Sequence, residues 1–464
     1  MDDRVGDSDL FARVDTALAT SGASDAEVSI RRTRRGFARY SLNTLDQHGD
    51  LDEQSADVRV GTTSTDGARI ASARTDDLSH DGLVTALRRA RELAERSRPV
   101  PDWPGFAPPA GETPRPPRFA RSTANCTASA RSDLVRMALD RARAAHLTAA
   151  GILETARYEI AVVNTRGTRR YADGTTASFK IFALDADGTS GFAQSRDRDV
   201  DRLDVDRRAR EACEKSVAGR DPIVLPAGEY DVVLEPPAVC ELLEWLAFVT
   251  FGGREVLDRS SAIAGRSGEC VTGDAITLYD DACDASDIGS GIPFDREGTV
   301  RARTLLIDAG KACEPVYDRL FAARAGKRST GHAAPPGGMI EAPLPQSVQM
   351  AGGKATLDEL VAGVERGLHV TRFHYVNGFL DPRRTLMTGL TRDGTFLIEG
   401  GKRTRGVRNM RFTDSVFEAF ARADGLTALR EAVPTWWSDA GAFVAPAVRI
   451  RGFRFTGGGV SPAG

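Results

Sequence analysis

Several features that define common protein classes are missing from this 464-residue chain. Neither sign of charge dominates, because 62 lysines and arginines stand against 65 aspartates and glutamates, for a formal net charge of −3. Such a balance offers no whole-chain attraction to nucleic acid or anionic lipid. The densest apolar run, Trp245–Phe251, is far shorter than the roughly 18 residues of a membrane-spanning helix. We expect no nucleic-acid partner and no membrane segment.

The sequence also lacks closely spaced cysteine pairs, and we expect no leader peptide. The six cysteines have no CxxC spacing, which favours reduced, mostly buried thiols. The amino terminus is acidic and lacks the apolar core of a secretory signal, so we expect a water-soluble cytoplasmic protein. Apolar residues still make up 41% of the chain, which suffices for sizeable cores.

Hydrophobic periodicity divides the chain into four segments. Residues 1–98 indicate an amphipathic helix over 9–22, an antiparallel meander and a helix over 81–97. Residues 99–119 are proline-rich and are typical of a linker or surface wrap. Residues 120–222 repeat the first outline, either by duplication or because meanders followed by helices look alike.

The last segment, residues 223–464, combines one buried helix over 238–251 with β-rich sequence. Strands are predicted at 304–307, 369–375, 385–391, 395–399 and 447–455. Helices are segregated from sheets, so the pattern predicts an α+β fold: N-terminal antiparallel meander-plus-helix sections and a β-rich C-terminal domain.

Five short motifs follow one another in the C-terminal half. They are Pro226–Pro236 (PAGEYDVVLEP), Phe294–Gly298 (FDREG), Ser329–His332 (STGH), Gly367–Arg372 (GLHVTR) and Gly394–Gly401 (GTFLIEGG). Each is modest alone, but in this order and spacing the chain resembles the TldD/PmbA family, also called the TldD/TldE family. The resemblance is strongest from about residue 225 and weaker over 10–97 and 150–217.

The resemblance carries a chemical distinction between two kinds of subunit. TldD-like members look like zinc peptidases with a His-Glu-x-x-x-His helix and a late cysteine ligand. Here the matching helix reads VCELLEWLAFV from Val239 and has no histidine. No cysteine follows Cys313, and Trp436–Phe443 occupies the general region of the late cysteine ligand. The resemblance therefore implies a TldE/PmbA-like subunit without its own metal or cofactor.

In this family such a subunit joins a TldD-like zinc subunit in a heterodimer or higher assembly. The resemblance implies a peptidase complex that acts on unfolded or modified peptides within an enclosed chamber. Zinc is then expected in the TldD-like partner rather than in this chain.

The histidines support a metal-free reading independently. No two of the six lie three or four residues apart, as a pair on one helix face requires. His369 and His374 are five apart in a predicted strand, where an odd spacing points side chains to opposite faces.

Four residues are candidates for peptide binding. Glycine and proline around His332 predict a fixed, accessible loop, although a loop histidine often bonds backbone instead. Strand alternation puts Arg372 and His374 on one face, and Tyr375 and Asn377 on the other. Either pair could line a peptide cleft, and ordinary sheet-surface polarity is the alternative.

Other functions stay open at this stage. Cys240 and Glu241 could act as nucleophile and base, but a cysteine on an apolar helix is usually a core residue. Glu241 and Glu244, three residues apart, could resemble a catalytic carboxylate pair, but without a metal they are more typical of a helix surface or an ion pair. The aspartates from Asp280 to Asp287 lack calcium-loop spacing and indicate a solvated acidic loop. A stand-alone non-metal hydrolase of a small peptidic metabolite, using Cys240, His332 or His374, and a non-enzymatic binding or assembly protein remain alternatives.

Overall fold

The computed structural model describes residues 5–114, 118–284, 291–334, 342–434 and 442–458. As predicted, the protein is α+β, with an antiparallel sheet in the N-terminal region and a mixed sheet in the C-terminal domain. The segment Trp436–Phe443 lies mostly outside the described residues, and Asp287 lies outside them too.

The N-terminal sheet, here called sheet one, is antiparallel and has the strand order β3-β2-β1-β4-β5-β6. Its strands are β1 Ala26–Ser41, β2 Thr44–Ser64, β3 Gly67–Thr75, β4 Thr148–Asn164, β5 Arg169–Leu184 and β6 Ser190–Asp197. The helices of this region are α1 Asp7–Ser21, α2 His80–Arg96, α3 Arg121–Ala124, α4 Ala128–Ala144 and α5 Val205–Ala218.

The two N-terminal segments contribute equivalent halves of sheet one. The order α1-β1-β2-β3-α2 recurs as α4-β4-β5-β6-α5, and β1 pairs with β4 at the centre of the sheet. Two separate cores lie under the helices of the two halves, one containing Val28 and Ile30 and the other containing Phe179 and Ile181. The face that carries these cores is called the outer face of sheet one.

Sheet one extends much further than its apolar residues predict. Strand β1 runs without interruption through the sequence Arg31–Arg35, which has no apolar residue to predict a strand. The polar residues 44–55 are likewise strand, paired along their length with β1. Backbone hydrogen bonds to neighbouring strands hold this polar stretch, so side-chain periodicity does not reveal it.

The C-terminal half contains the second sheet. Its strands are β7 Gly228–Leu234, β8 Leu278–Asp280, β9 Thr304–Asp308, β10 Lys311–Ala312, β11 Val348–Met350, β12 Arg366–Asp381, β13 Leu386–Glu399, β14 Lys402–Gly406, β15 Met410–Ser415, β16 Ala423–Pro434 and β17 Ala442–Gly458. Its helices are α6 Pro236–Val249, α7 Gly253–Leu257, α8 Arg319–Ala325, α9 Leu357–Ala362 and α10 Val416–Ala421. Because β7 pairs with both β12 and β17, the order β7-β12-β13-β15-β17 closes on itself.

Helix α6 is the centre of the C-terminal core. Its first two residues are Pro236 and Pro237, which suit the first helical turn because proline has no N–H to leave unpaired. Eleven of its fourteen residues are buried, as expected of a helix that is apolar on all sides. Gly378 of β12 lets it approach closely, since a Cβ there would lie 2.7 Å from Trp245.

The inner face of sheet one, opposite its helices, packs against the C-terminal half. Tyr158, Ile160 and Val162 alternate along β4 and form a small core with Phe294. The proline-rich segment is pinned to the same sheet: Phe106 is buried, and the carbonyl of Ala107 accepts from Asn164 and Thr168 side chains. Within the described part of the chain, no helix is long and apolar enough to cross a membrane.

Candidate functional site

Strand β12 presents three of the four predicted peptide-binding residues on one exposed face. His374 pairs with Leu390 and Asn377 with Thr388, so β12 has one extra residue between them. Tyr375 takes up that residue in the left-handed region, at φ 55°. It is 82% exposed, whereas Phe373 and Val376 are buried. The prediction that Tyr375 and Asn377 lie on the face opposite Arg372 and His374 is therefore wrong, because the bulge at Tyr375 reverses the alternation of side chains along β12.

Arg372 ties β12 to sheet one. Its guanidinium pairs with Asp393, with Nε 2.7 Å from Oδ2, and Asp393 also accepts from Ser190 of β6 at 2.6 Å. The same guanidinium lies over the rings of Phe182 and Phe192, at 5.3 and 4.9 Å from their centroids. Arg372 therefore serves the junction between the two sheets as well as the exposed face of β12.

Glu241 of α6, Lys180 of β5 and Arg372 of β12 act on one another's charges where sheet one meets the C-terminal half. Burial raises the pKa of Glu241 to about 7, although the charges of Arg372 and Lys180 act to lower it. Burial and Arg372 lower the pKa of Lys180, against Glu154, Glu241 and Glu244. Burial and the charges of Arg372 and Arg392 lower the pKa of His374. Acids and bases with shifted pKa values that act on one another are typical of functional sites, and we take this group, at the junction of sheet one and the C-terminal half, as the candidate site.

The raised pKa of Glu241 makes stability depend on pH. A carboxyl whose pKa is higher in the folded than in the unfolded state favours folding below its unfolded pKa. That contribution is lost as pH rises through the folded value near 7. Between pH 5 and pH 8, we expect E241Q to gain about 2 kcal/mol of unfolding free energy relative to wild type.

Denaturant titrations at pH 5, 6, 7 and 8 measure this difference. E92Q, which alters an exposed glutamate of α2, controls for the change of side chain. Parallel pH curves for wild type and E241Q would contradict the assignment.

His332 is fixed but not accessible, so the predicted exposure of its loop is wrong. The ring is 0% exposed, with Nε2 3.0 Å from Asp280 Oδ1 and Nδ1 2.8 Å from Thr330 Oγ1. Burial lowers the pKa of His332, and Asp280 opposes that shift. The Asp–His–Thr order resembles a catalytic relay, but a sealed ring cannot reach a substrate in this structure. The role of His332 is therefore to join three loops.

Asp280 holds this buried network together and is not part of a solvated loop. Its Oδ1 also pairs with Arg301 at 2.8 Å, and its Oδ2 accepts from the backbone N–H groups of Gln346 and Ser347 at 2.7 Å each. Burial acts to raise the pKa of Asp280, but Arg301 and His332 hold it well below its usual range. The expectation of a solvated acidic stretch is thus wrong for its first residue.

A second buried network joins α5 to the C-terminal core. Lys215 Nζ lies 2.8 Å from Glu211 and 2.7 Å from Glu235, the residue that precedes α6. His369 Nε2 is 3.0 Å from the other oxygen of Glu235. His369 is buried and His374 half-buried. The predicted opposite faces are wrong: Val370 and Phe373 both belong to the C-terminal core, so the register shift between Val370 and Arg372 turns His369 and His374 to the same side of β12, away from that core. Their surroundings differ all the same, because His369 lies against Glu235 and His374 is near two arginines.

The FDREG motif, Phe294–Gly298, connects sheet one to loops of the C-terminal half through hydrogen bonds and ion pairs. Asp295 accepts from the backbone of Glu297, Thr299 and Ala333, which ties the loop to the residue after His332. Glu297 shares Arg59 of β2 with Glu27 of β1, and it accepts the N–H of Arg319 at the start of α8. These contacts join strands of sheet one to two C-terminal loops.

Side chains suited to zinc are not gathered in this chain's described residues: no group of three His, Cys, Asp or Glu there could hold an ion. On α6, Cys240 is buried and its burial raises the thiol pKa well above the usual value, the opposite of a reactive cysteine. The donor set of α6 does not fit a zinc site, and no step through zinc is assigned to this chain.

Sequence reasoning missed Lys180, Arg59 and Glu235. A weak signal was present for two of them: Lys180 and Arg59 are single cations within apolar alternation, as in Val58-Arg59-Val60. The partners of Arg59 lie 32 and 238 residues away, on a neighbouring strand and in a C-terminal loop, so local spacing could not find them. Glu235 lies within a quoted motif, but its contacts with Lys215 and His369 depend on the tertiary fold.

An antiparallel sheet packed against a mixed sheet whose strand order closes on itself, with a buried helix in the second core, defines an α+β protein. Residues 227–457 match a family model described as the PmbA/TldA metallopeptidase C-terminal domain. The chain belongs to the TldD/PmbA family, which confirms the prediction from its motif succession.

Two curated relatives match parts of the chain. It is 29% identical over 175 residues to an uncharacterised protein of Methanocaldococcus jannaschii, covering 37% of this chain and 40% of that protein. It is 26% identical over 214 residues to a metalloprotease TldD homolog of Buchnera aphidicola, covering 45% and 41%. The chain thus spans about two fifths of the length of the curated relatives it matches.

Solved structures resemble the whole fold. TldE from Thermococcus kodakarensis has a TM-score of 0.86 and 19% identity, covering 96% of this chain and 100% of that one. A protein of Thermotoga maritima, described as a candidate modulator of a DNA gyrase, has a TM-score of 0.82 and 17% identity, with coverage of 96% and 99%. At such identities the likeness establishes the fold.

Proposed function

We propose that this chain is the metal-free TldE/PmbA-like subunit of a cytoplasmic peptidase. It pairs with a TldD-like zinc subunit, and the complex cleaves unfolded or modified peptides. The observation that carries the proposal is the content of α6. By the family resemblance, this helix corresponds to the zinc helix of TldD-like members, yet it carries Glu241 and Glu244 without any histidine.

The histidines of the C-terminal half support the same proposal. His332 belongs to the Asp280 network and His369 lies against Glu235, while His374 lies beside two arginines that disfavour a further cation. Each imidazole therefore has separate surroundings, and none is placed to share an ion with another.

The role of this chain in the complex is to build walls and substrate-binding strands. Beyond Val370, the described pairings of β12 are with β13 alone, so its other edge offers free N–H and C=O groups. Arg372, His374 and Tyr375 lie along this edge, and a bound peptide would contact them first. Their assignment to peptide binding is part of the proposal.

Reconstitution with a TldD-like subunit from the same genome tests the function. Cleavage of a fluorogenic unfolded peptide is measured with this chain alone, with the partner alone and with the mixture. We expect activity in the mixture, a stoichiometric complex by light scattering, and zinc bound to the partner. Unchanged activity when this chain is omitted would count against the proposal.

The same assay separates the alternatives. A stand-alone hydrolase would cleave peptide without partner and in the presence of a strong chelator, an outcome that the burial of Cys240 and His332 disfavours. A pure binding or assembly protein would leave the mixture inactive and sediment alone as a homo-oligomer.

A further inference from the structure

Four buried carboxyl groups meet where sheet one contacts the FDREG loop and the start of α8. They belong to Glu27 of β1, to Asp295 and Glu297 of the loop, and to Asp318, and none is more than 8% exposed. Burying a carboxylate is costly unless a cation or hydrogen-bond donors compensate its charge. The counter-charges within reach therefore determine whether these groups can all be ionised.

Contacts centred on Glu297 join the carboxyls into one cluster. Glu27 and Glu297 share the guanidinium of Arg59, at 2.5 and 3.3 Å. Asp295 accepts the backbone N–H of Glu297 at 2.9 Å. The three carboxyls thus lie around a single cation.

Asp318 extends the cluster to the start of α8. The second oxygen of Glu297 accepts the N–H of Arg319 at 3.0 Å, and Asp318 caps the helix by accepting the N–H of Phe321 at 2.7 Å. The guanidinium of Arg319 points elsewhere, since its Nε donates to the carbonyl of Gly105 at 3.1 Å. It therefore binds the proline-rich segment rather than a carboxyl of the cluster.

The carboxyls outnumber the cations in contact with them. In the part of the chain that the structure describes, Arg59 is the one guanidinium within ion-pair distance of any of the four. Asp295 and Asp318 accept only from backbone N–H groups there, and no three acidic side chains are placed to share a metal ion. Protons are the remaining way to neutralise the excess negative charge.

Other charged groups face the cluster from the elements packed against it. They are Asp57 of β2, Arg74 of β3, Arg296 of the FDREG loop and Arg319 of α8. Burial raises the pKa of Asp57, although Arg74 and Arg296 act to lower it. The proline-rich segment contributes rings, with the centroids of Trp103 and Phe106 at 5.9 and 5.3 Å from the Arg59 guanidinium. The excess of carboxyl groups over contacting cations therefore persists.

The pKa values agree with protons held in the cluster. Burial and the charge of Glu297 raise the pKa of Asp295 to about 8, although three backbone N–H groups act to lower it. Burial and Glu297 also raise the pKa of Asp318 to about 6. Burial raises the pKa of Glu27, with Arg59 acting to lower it and Glu297 to raise it. Glu297 is thus a shared cause of all three shifts.

We propose that this cluster is a proton-dependent clasp, which holds sheet one and the proline-rich segment against the C-terminal half and releases them as pH rises. Opening brings the carboxyls into water, where they ionise freely, so it releases to solvent the protons that the closed state holds. The contribution of the cluster to the closed state is complete below the ordinary carboxyl pKa of about 4. It is lost as pH rises through the values of about 6 and 8 for Asp318 and Asp295. The clasp belongs to this chain and does not depend on a TldD-like partner.

Hydrogen–deuterium exchange of the full-length chain at pH 6, 7 and 8 tests the clasp. Rates are corrected for the intrinsic rise of amide exchange with pH, which gives an opening constant for each peptide. Peptides that span residues 99–108 and 292–300 report the clasp, and peptides from α6 report the C-terminal core. Between the pKa values of the open and closed states, a one-proton equilibrium shifts about tenfold per pH unit. We expect the opening constant at the clasp to rise at least tenfold from pH 6 to pH 8, and that of α6 to change less than about twofold.

Variants of the cluster should flatten this pH profile. E297Q removes the charge that raises the other three pKa values, so the rise is expected to fall below about threefold. D318N keeps the helix cap, because asparagine caps a helix as well as aspartate does, and should give an intermediate rise. E92Q, at an exposed position of α2, is the matched control and should keep the full rise. Circular dichroism checks that each variant is folded.

A wild-type opening constant that stays within about twofold from pH 6 to pH 8 would overturn the clasp. An equal rise in wild type, E297Q and D318N would also overturn it, since the profile would then come from other groups. An equal rise in α6 would show unfolding of the whole chain instead of release at this junction.

Discussion

Replacing Arg59 with methionine is expected to lower the free energy of unfolding by about 3–5 kcal/mol at neutral pH. Arg59 Nη2 lies 2.5 Å from Glu27 and its Nη1 3.3 Å from Glu297, and both carboxylates are nearly inaccessible to solvent. Without the guanidinium, two buried carboxylates share one site, so at least one must take up a proton or the site must open. Either outcome weakens the junction between sheet one and the FDREG loop.

Denaturant unfolding, followed by tryptophan fluorescence and circular dichroism, measures this effect. R141M is the matched control, because Arg141 forms a more exposed pair with Asp206, a kind of pair that contributes little to stability. The triple variant E27Q/R59M/E297Q removes all three charges and is expected to regain most of the lost stability. If R59M lowers the denaturant midpoint of unfolding no more than R141M does, the ion pairs of Arg59 do not stabilise the junction between sheet one and the FDREG loop.

Changing Asp280 to asparagine is expected to have a similar effect, about 3–5 kcal/mol. The carboxylate accepts from Arg301, His332 and two backbone N–H groups, all of them donors. An asparagine amide would turn its own NH₂ group toward donors and leave Arg301 without its buried counter-charge. The loops at Arg301, His332 and Ser347 would lose their common anchor.

D133N is the control for Asp280, because Asp133 forms an exposed i,i+3 pair with Arg136. The depressed pKa of Asp280 also sets a sign for pH. Its stabilising contribution is present above the unfolded pKa and is lost as pH falls through and below that value. Wild type and D280N should therefore converge in stability toward strongly acidic pH, and a constant difference down to pH 2 would contradict this account.

The quoted family motifs have roles that their residue types did not reveal. FDREG and STGH contain ionisable residues in glycine-bearing loops, a pattern that favours a binding site. In the structure, their charged side chains are turned inward and join sheet one to the C-terminal loops. Gly298 shows how close the junction is, since its φ is 71° and a Cβ there would lie 2.7 Å from Thr168. Such contacts account for the motifs structurally.

The candidate site was only partly predictable. Arg372, His374 and Tyr375 were found from the sequence, and all three lie on the exposed side of β12; their role in peptide binding stays a prediction. The predicted faces of these residues were wrong, because the bulge at Tyr375 adds one residue to β12 and reverses the face of the side chains that follow it. A bulge depends on pairing with the neighbouring strand, so no pattern within β12 reveals it.

By itself, the sequence determined the α+β class, the apolar helix at α6, the main C-terminal strands and the family. These follow from local periodicity and from motif order, which depend on residues close together in the chain. Only the tertiary structure decided that Arg372 pairs with Asp393 beside sheet one, that His332 is sealed against Asp280, and that Arg59 bridges Glu27 and Glu297. The physical reason is that burial and charge pairing arise between residues far apart in sequence, and those contacts exist only once the two sheets have packed.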